Sequence, residues 1–389
     1  MSDPRPAPTG PLPHAADAAG LWLGRAWDPD SGGPCVVTLR GDMVVDVTSP
    51  AAPTVRDVLE HDDPAALLAA PGRPLGTLAA LAEAARAGQG ARLLAPCDLQ
   101  ALKACGVTFA RSMVERVIEE RAAGDPARAE AIRARIAGLI GASLRDIRPG
   151  GPEAAGVKAA LQAEGLWSQY LEVGIGPDAE VFTKGQPLSA VGWGAMVGLH
   201  PVSRWNNPEP EVVLAVDSRG RIRGATLGND VNLRDVEGRS ALLLGKAKDN
   251  NAACAVGPFI RLLDDGFTLD DVRATELTLT VTGADGFRLD GRSSMREISR
   301  DPADLVAQTI GRHHQYPDGL MLFLGTMFAP VQDRDAPGQG FTHHPGDVVT
   351  IAAPGLGALV NVVGLATEAP EWTFGAAALM RNLAARGLL

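Results

Sequence analysis

Positive charge is in deficit along this chain: 36 Lys and Arg stand against 46 Asp and Glu, a formal net charge of −10. A general affinity for a phosphate backbone or an anionic lipid surface needs a cationic face, so neither nucleic acid nor membrane is expected as a partner. Cysteine is scarce too. Cys35, Cys97, Cys105 and Cys254 lie far apart and form neither a CxxC pair nor a disulfide framework, which fits a reduced cytoplasm. No run of about 18 apolar residues occurs, and the opening MSDPRPAPTGPLP lacks the basic-then-apolar pattern of a targeting signal. A disordered leader and then a soluble chain are expected. There is no Gly-rich loop ending in Lys-Ser or Lys-Thr, no repeat of fixed period, and no low-complexity tract beyond the leader. Nucleotide binding therefore has no support.

What is present is the balance of a globular protein, with 46% hydrophobic, 21% charged and 4% aromatic residues. At 389 residues, two domains are expected. The runs CVVTLR and MVVDVT read as strands separated by Gly41 and Asp42, a Gly-first pair suited to a tight hairpin turn. Helical patterns follow in TVRDVLEH and LGTLAALAEAARA. These early residues hold no cluster of chemically active side chains, so residues 1–98 are assigned to an accessory domain and residues 99–389 to the functional one. Residues 110–140 carry apolar and charged positions at helical spacing, broken at Gly124, Asp125 and Pro126. Beyond VFTK the texture is short and β-rich: EVVLAV, RIRGAT, TELTLTVT, LMLFL, VVTIAA and ALVNVV. That spacing predicts an α+β, β-rich sheet assembly or barrel rather than alternating βαβ units.

The most informative segment is WNNPEPEVVLAVDSRGRIRGATLGNDVNLRD, residues 205–235. In extended backbone Glu209 and Glu211 leave the same face, about 6–7 Å apart at their Cα atoms, so both can reach one ion. Pro210 between them lacks a donor and suits a strand start. A turn at Asp217-Ser218-Arg219-Gly220 sets Val216 opposite Arg221 and Glu211 opposite Thr226, and brings Asp230 back to the Glu209 end. Three hard oxygen ligands with no His or Cys nearby in sequence favour Mg²⁺ or Mn²⁺ over zinc or copper. An isolated Glu-Pro-Glu is ordinarily surface charge, and Lys248 alone is ordinarily a surface lysine; close to a metal or in an apolar pocket, that lysine's proton affinity falls far enough for acid-base work.

At these residues the chain resembles the fumarylacetoacetate hydrolase superfamily, through Glu209-Pro-Glu211, Asn229-Asp230-Val231-Asn232-Leu233-Arg234-Asp235, and Lys248 ahead of Gly257-Pro258. GVTFARSMVE, EVFTK, LFLGT and HHPGDVVTIAAPGLGALVNVV agree, so the resemblance covers roughly residues 100–365. It implies a β-roll or barrel catalytic domain with metal ligation by Glu209, Glu211 and Asp230, and catalysis by Lys248 and Glu115. Ser112, Lys184, Asn229, Arg234 and Thr326 are placed at the substrate. Hydrolytic members carry a His in GLNYxxHAxE, and here Ser112 stands at that position while Glu115 is kept. Serine is no base near neutral pH without a partner, which turns the expectation from carbon-carbon hydrolysis to elimination.

The segments VTFARSMVERVIEERAAGD, GLWSQYLEVGIGPDAEVFTKG, WNNPEPEVVL, GNDVNLRDVEGRSALLLGKAKDNNA and FLGTMFAPVQDRDAPGQGFTH are similar to the branch that dehydrates 2-keto-3-deoxy sugar acids. This resemblance implies a Mg²⁺-dependent lyase converting 2-keto-3-deoxy-D-xylonate (2-dehydro-3-deoxy-D-pentonate) to 2,5-dioxopentanoate in oxidative pentose catabolism, as a homodimer or homotetramer. The metal would stabilise an enolate formed at C3. A hydrolase or decarboxylase of a 2,4-diketo acid, and a non-catalytic keto-acid-binding relative, are the competing readings. The pairs His313-His314 and His343-His344 are not expected to ligate, because adjacent residues point to different faces. Trp193, Trp205 and Trp372 read as packing or subunit-contact residues, with Trp205 close enough to the glutamates to wall the pocket. The cysteines read as core filler.

Overall fold

Three strands carry the centre of the molecule: β9, Pro210–Val216, β10, Ile222–Asp230, and β11, Cys254–Leu262, in the numbering that follows. Every residue of β9 and β11 is buried. The run Val212-Val213-Leu214-Ala215-Val216 has no polar alternation because both faces of β9 are covered. Val212, Leu214 and Val216 enter one core with Leu279, Ile351 and Leu359, whereas Val213 and Ala215 enter a second with Leu23, Leu102 and Phe323.

This computed structural model describes residues 10–14, 17, 20–109, 117–118, 120–123, 125, 128–129, 148–163 and 167–389. The expected helices of residues 110–140 fall largely outside them. The remaining strands are β1 (Trp22–Asp28), β2 (Gly33–Arg40), β3 (Met43–Asp46), β4 (Arg73–Thr77), β5 (Arg92–Leu93), β6 (Ala101–Gly106), β7 (Glu180–Gly185), β8 (Met196–Leu199), β12 (Glu276–Thr282), β13 (Arg288–Ser294), β14 (Leu320–Phe323), β15 (Val348–Ala353) and β16 (Gly357–Leu365). They form an 11-stranded sheet of order 4-3-2-1-11-10-9-14-6-7, with β5 on β1, and a 5-stranded sheet of order 13-12-15-16-8. β10 and β11 pack against β15 and β16, which joins the two sheets. The architecture is the β-rich α+β class.

Local signals explain several elements. β2 and β3 close with Arg40 opposite Met43 around Gly41, whose φ of 64° is open to glycine. Thr54 and Asp57 make a capping box for helix Val55–Glu60, and Asp301 with Pro302 starts helix Pro302–Thr309. β12 alternates, burying Leu277, Leu279 and Val281. β1 and β11 are strands that sequence pattern did not single out. Trp22 and Leu23 of β1 pair with Arg261 and Ile260 of β11, so the first hundred residues extend the same large sheet.

The β9–β10 register differs from expectation. Glu211 faces Gly228, not Thr226. The turn takes one residue more, since Asp217 accepts from the Arg219 and Arg221 amides and Val216 faces Ile222. An irregularity between Ile222 and Gly224 inserts another. A shift of two residues leaves every side chain on its original face, so Asp230 still arrives beside Glu209.

Residues 331–347 are fastened by charge. Arg334 holds Asp347 through two bonds of 2.6 and 2.8 Å and reaches Asp285 at 3.1 Å, and His343 Nδ1 lies 3.1 Å from the same Asp347 carboxylate. Burial would raise the Asp347 carboxyl, but Arg334 and His343 hold it down to about 2. No helix among the described residues is long and apolar enough to cross a membrane. Asp347→Ala leaves the buried Arg334 guanidinium without its bidentate partner, and chemical denaturation should show a loss of about 3–5 kcal/mol; a change within experimental error would mean the network contributes nothing net.

Candidate functional site

β9 and β10 deliver the carboxylates by alternation. Glu209 and Glu211 are two apart, Gly228 and Asp230 face them across the ladder, and the Asp230 amide donates to the Glu209 carbonyl at 3.0 Å. One oxygen from each of Glu209, Glu211 and Asp230 lies within 4.8 Å of the other two, and all three residues are buried. The segment between β10 and β11 leaves and returns at one level, with Asp230 opposite Cys254, so helix Leu244–Lys248 ends beside the acids. Lys248 Nζ bonds Glu209 Oε2 and lies 3.1 Å from Asp230 Oδ2. β7 supplies Glu180, Phe182 and Lys184 at alternate positions, and the Phe182 ring lies 5.7 Å from Lys248 Nζ.

β14 ends in the loop that completes the first shell of donors. Gly325 N–H donates to Glu211 Oε2 at 2.7 Å, and Thr326 Oγ1 stands 3.4 Å from Oε1. Gly325 has a φ of 105°, and a Cβ there would sit 1.9 Å from Thr108 Oγ1. Burial pushes the Glu211 carboxyl well above the usual carboxylate range, with the Asp230 and Glu209 charges adding to it. That shift favours the protonated form of Glu211 and so relieves repulsion among the three acids, while Lys184 and Lys248 face the other two. Adding a dication removes the reason for that proton. An all-oxygen, buried, acidic set suits a hard divalent cation.

The cleft in front of these groups is lined by Cys105, Gly106, Val107, Glu180, Phe182, Glu209, Asp230, Glu237, Lys248 and Thr326. Glu180, Phe182 and Glu237 were not singled out from sequence. Their signal was spacing: Glu180 and Phe182 share the strand face of Lys184, and Glu237 lies three residues after Arg234 on a helical turn.

The other expected residues take varied places. Lys184 Nζ is engaged by Asp230 Oδ1, a 2.8 Å charge contact outside hydrogen-bond geometry, and by the carbonyls of Val231 (3.2 Å) and Lys248. It braces Asp230 and the Lys248 segment from behind. Asn229 points to the face opposite Asp230 and accepts from the Glu209 amide at 3.1 Å, fixing the strand rather than lining the cleft. Arg234 is buried, donates to the Pro330 carbonyl at 2.9 Å and lies 5.1 Å over the Trp205 ring. Ser112 and Glu115 lie outside the described residues. Neither histidine pair joins a metal-holding group among the described residues.

Fold and site together define a β-rich protein with a buried three-carboxylate cation site at the end of an antiparallel strand pair. The model of the fumarylacetoacetate (FAA) hydrolase C-terminal family matches residues 206–364, and the chain belongs to the fumarylacetoacetate hydrolase family. It is 31% identical over 206 residues to the probable 2-keto-3-deoxyxylonate dehydratase of Haloferax volcanii, covering 53% of this chain and 67% of that one. It is 29% identical over 184 residues to the 2-dehydro-3-deoxy-D-arabinonate dehydratase of Saccharolobus solfataricus, covering 47% and 58% respectively. A solved 2-keto-3-deoxy-D-arabinonate dehydratase, complexed with magnesium and 2,5-dioxopentanoate, superposes with a TM-score of 0.63 at 20% identity, over 89% of this chain and 99% of that one. A fumarylacetoacetate hydrolase from Exiguobacterium antarcticum gives 0.54 at 18% identity, over 89% and 99%.

Two outcomes follow from this geometry. A carboxyl raised in the folded state stabilises the fold at acid pH and stops doing so as pH rises through its folded pKa. The stability that Glu211 contributes to metal-free protein, read as the melting-temperature difference from Glu211→Gln, should therefore fall as pH rises, and Mg²⁺ binding should release a proton where Glu211 is protonated. Calorimetric titration in buffers of different ionisation heat reads that proton directly, and no release at any pH would remove Glu211 from this role. Gly325→Ala should cost about 1–3 kcal/mol in denaturant melts through backbone strain, and should weaken Mg²⁺ binding because the donor to Glu211 shifts.

Proposed function

We propose that this chain is a metal-dependent hydro-lyase that dehydrates a 2-keto-3-deoxypentonate, with 2-keto-3-deoxy-D-xylonate as substrate and 2,5-dioxopentanoate as product. The observation that carries the proposal is the buried triad of Glu209, Glu211 and Asp230 with Lys248 Nζ seated between Glu209 and Asp230. The pentonate dehydratases among its relatives support the substrate class. The relative complexed with magnesium is a reason to choose that ion.

Mg²⁺, with Mn²⁺ as the substitute, would be held by the three carboxylates and would supply Lewis-acid polarisation of the 2-keto and carboxylate oxygens, easing proton loss at C3. Charge supports the fit: a dication would offset two of the three carboxylates, and Lys184 faces the third. Lys248 takes the C3 proton. Glu209 and Asp230 favour its ammonium; once their oxygens are engaged elsewhere, burial against Phe182 favours the neutral amine that can accept. Lys184 keeps Asp230 and the Lys248 segment in place. Glu115 is assigned to the departing C4 hydroxyl and Ser112 to orienting substrate or water. A proton then leaves C5 and one returns to C3, giving the C4–C5 enol, whose hydroxyl proton is lost as C4 is protonated to give the aldehyde; the net change is loss of one water and no carbon-carbon bond breaks.

Purified protein with Mg²⁺ and 2-keto-3-deoxy-D-xylonate should yield 2,5-dioxopentanoate. Glu209→Ala and Lys248→Met should each reduce kcat by about 10²-fold or more, with the fold retained by circular dichroism. Release of pyruvate, or turnover only of a 2,4-diketo acid control, would instead identify a carbon-carbon hydrolase and refute the proposal.

A further inference from the structure

A cavity of about 620 Å³ shares no lining residue with the carboxylate cleft. It opens where β1, β5 and the end of helix Leu78–Ala87 meet the loop around Trp193 and residues 370–374. Its size lies within the range of small-molecule sites, about 300–1,000 Å³. Its walls include the indoles of Trp27, Trp193 and Trp372, and its charge comes from Arg25, Arg86 and Arg92, against the single exposed carboxylate of Glu371.

Two of these groups, Arg92 and Trp193, have room for a further partner. Arg25 is 7% exposed, donates to the Cys97 carbonyl at 3.1 Å and feels the charge of the buried Asp98 carboxyl, though among the described residues it forms no ion pair within 4 Å. Arg92 lies 5.3 Å over the Trp27 ring and donates to the Gly90 carbonyl, also without an ion pair among the described residues. Arg86 is paired with Glu83 at 3.0 Å and covers the Trp193 ring at 4.6 Å. Trp193 is 0% exposed, and its Nε1 has no acceptor. A buried donor without an acceptor carries an uncompensated desolvation cost, and the half-buried Arg92 guanidinium is free to take an anionic partner. Burial, the leading cause, pulls both Arg25 and Arg92 below the usual arginine range.

We propose that this cavity is a second binding site, for a small anion with a flat apolar body, of the aromatic carboxylate class. The carboxylate supplies an ion-pair partner for Arg92, a further acidic partner for Arg25 beside Asp98, and an acceptor for Trp193 Nε1, while the ring lies among the indoles.

Calorimetric titration of the full chain with 2-naphthoate, against 2-naphthalenemethanol as the uncharged analogue, tests it. One saturable naphthoate site per chain is expected, with the alcohol at least about tenfold weaker because a charge-assisted bond is lost. Arg25→Gln and Arg92→Gln should each weaken naphthoate by a similar factor. Arg92 is only half-buried, so its variant, with an unchanged melting temperature, carries the test if Arg25→Gln fails to fold. Glu209→Ala, which disables the carboxylate site, should bind naphthoate like the parent, so failure of the dehydratase reading leaves this result intact. No saturable binding, equal affinity for the alcohol, or loss of binding in Glu209→Ala overturns the proposal. It is equally overturned if naphthoate binds only after Trp372→Ala separates an oligomer in sedimentation, since a second copy would then cover the cavity.

Discussion

Three carboxylates cannot be gathered out of water unless something answers their repulsion, and most of the structure around Glu209, Glu211 and Asp230 is that answer. Lys248 meets Glu209 and one Asp230 oxygen, Lys184 meets the other Asp230 oxygen, the Gly325 amide holds one Glu211 oxygen, and burial raises the Glu211 carboxyl so that it gives up its charge more readily than a free carboxylate. Each device is reversible by a cation. The cluster is therefore stable enough to fold and still poised to bind, a balance that a fully neutral site could not offer.

The sheet makes this arrangement rigid. β9 is covered on both faces, so the carboxylates cannot relax by twisting their strand toward solvent. Gly228 has no side chain because the Phe323 ring occupies the space; a Cβ there would lie 2.3 Å from it. Phe323 of β14 thus reaches past β9 to the strand that carries Asp230, and the end of β14 delivers Gly325 and Thr326. Arg334 and Asp347 fasten the following loop, and the His343 amide ties it to Asn206, three residues ahead of Glu209. Packing, backbone conformation and charge converge on one end of one strand pair.

The two cavities divide the molecule's polar chemistry by sign. The cleft is acidic and suits a cation. The arginine-lined cavity has its positive charge built in and asks for an anion directly. They share no residue, so occupation of one does not by itself block the other.

Much of this was legible in the residue order. The Glu-x-Glu alternation, the return of Asp230, the Gly41-Asp42 hairpin and the Asp301-Pro302 helix start are local, and local rules of strand and cap geometry are enough to read them. β1 and β11 escaped notice because their pattern is set by what covers them. The β9–β10 register was misjudged by two residues because a longer turn and a bulge depend on side-chain contacts at Asp217 that pattern does not encode. Lys184 looked like a substrate ligand until the fold surrounded its ammonium with Asp230 and two carbonyls. The residue order by itself determined which oxygens share a face and that the chain would be β-rich, since both follow from period and propensity. Only the tertiary structure decided that burial raises the Glu211 carboxyl, that Lys248 closes the cluster and that Glu237, Glu180 and Phe182 line the cleft, because burial and long-range contact exist only in the folded chain.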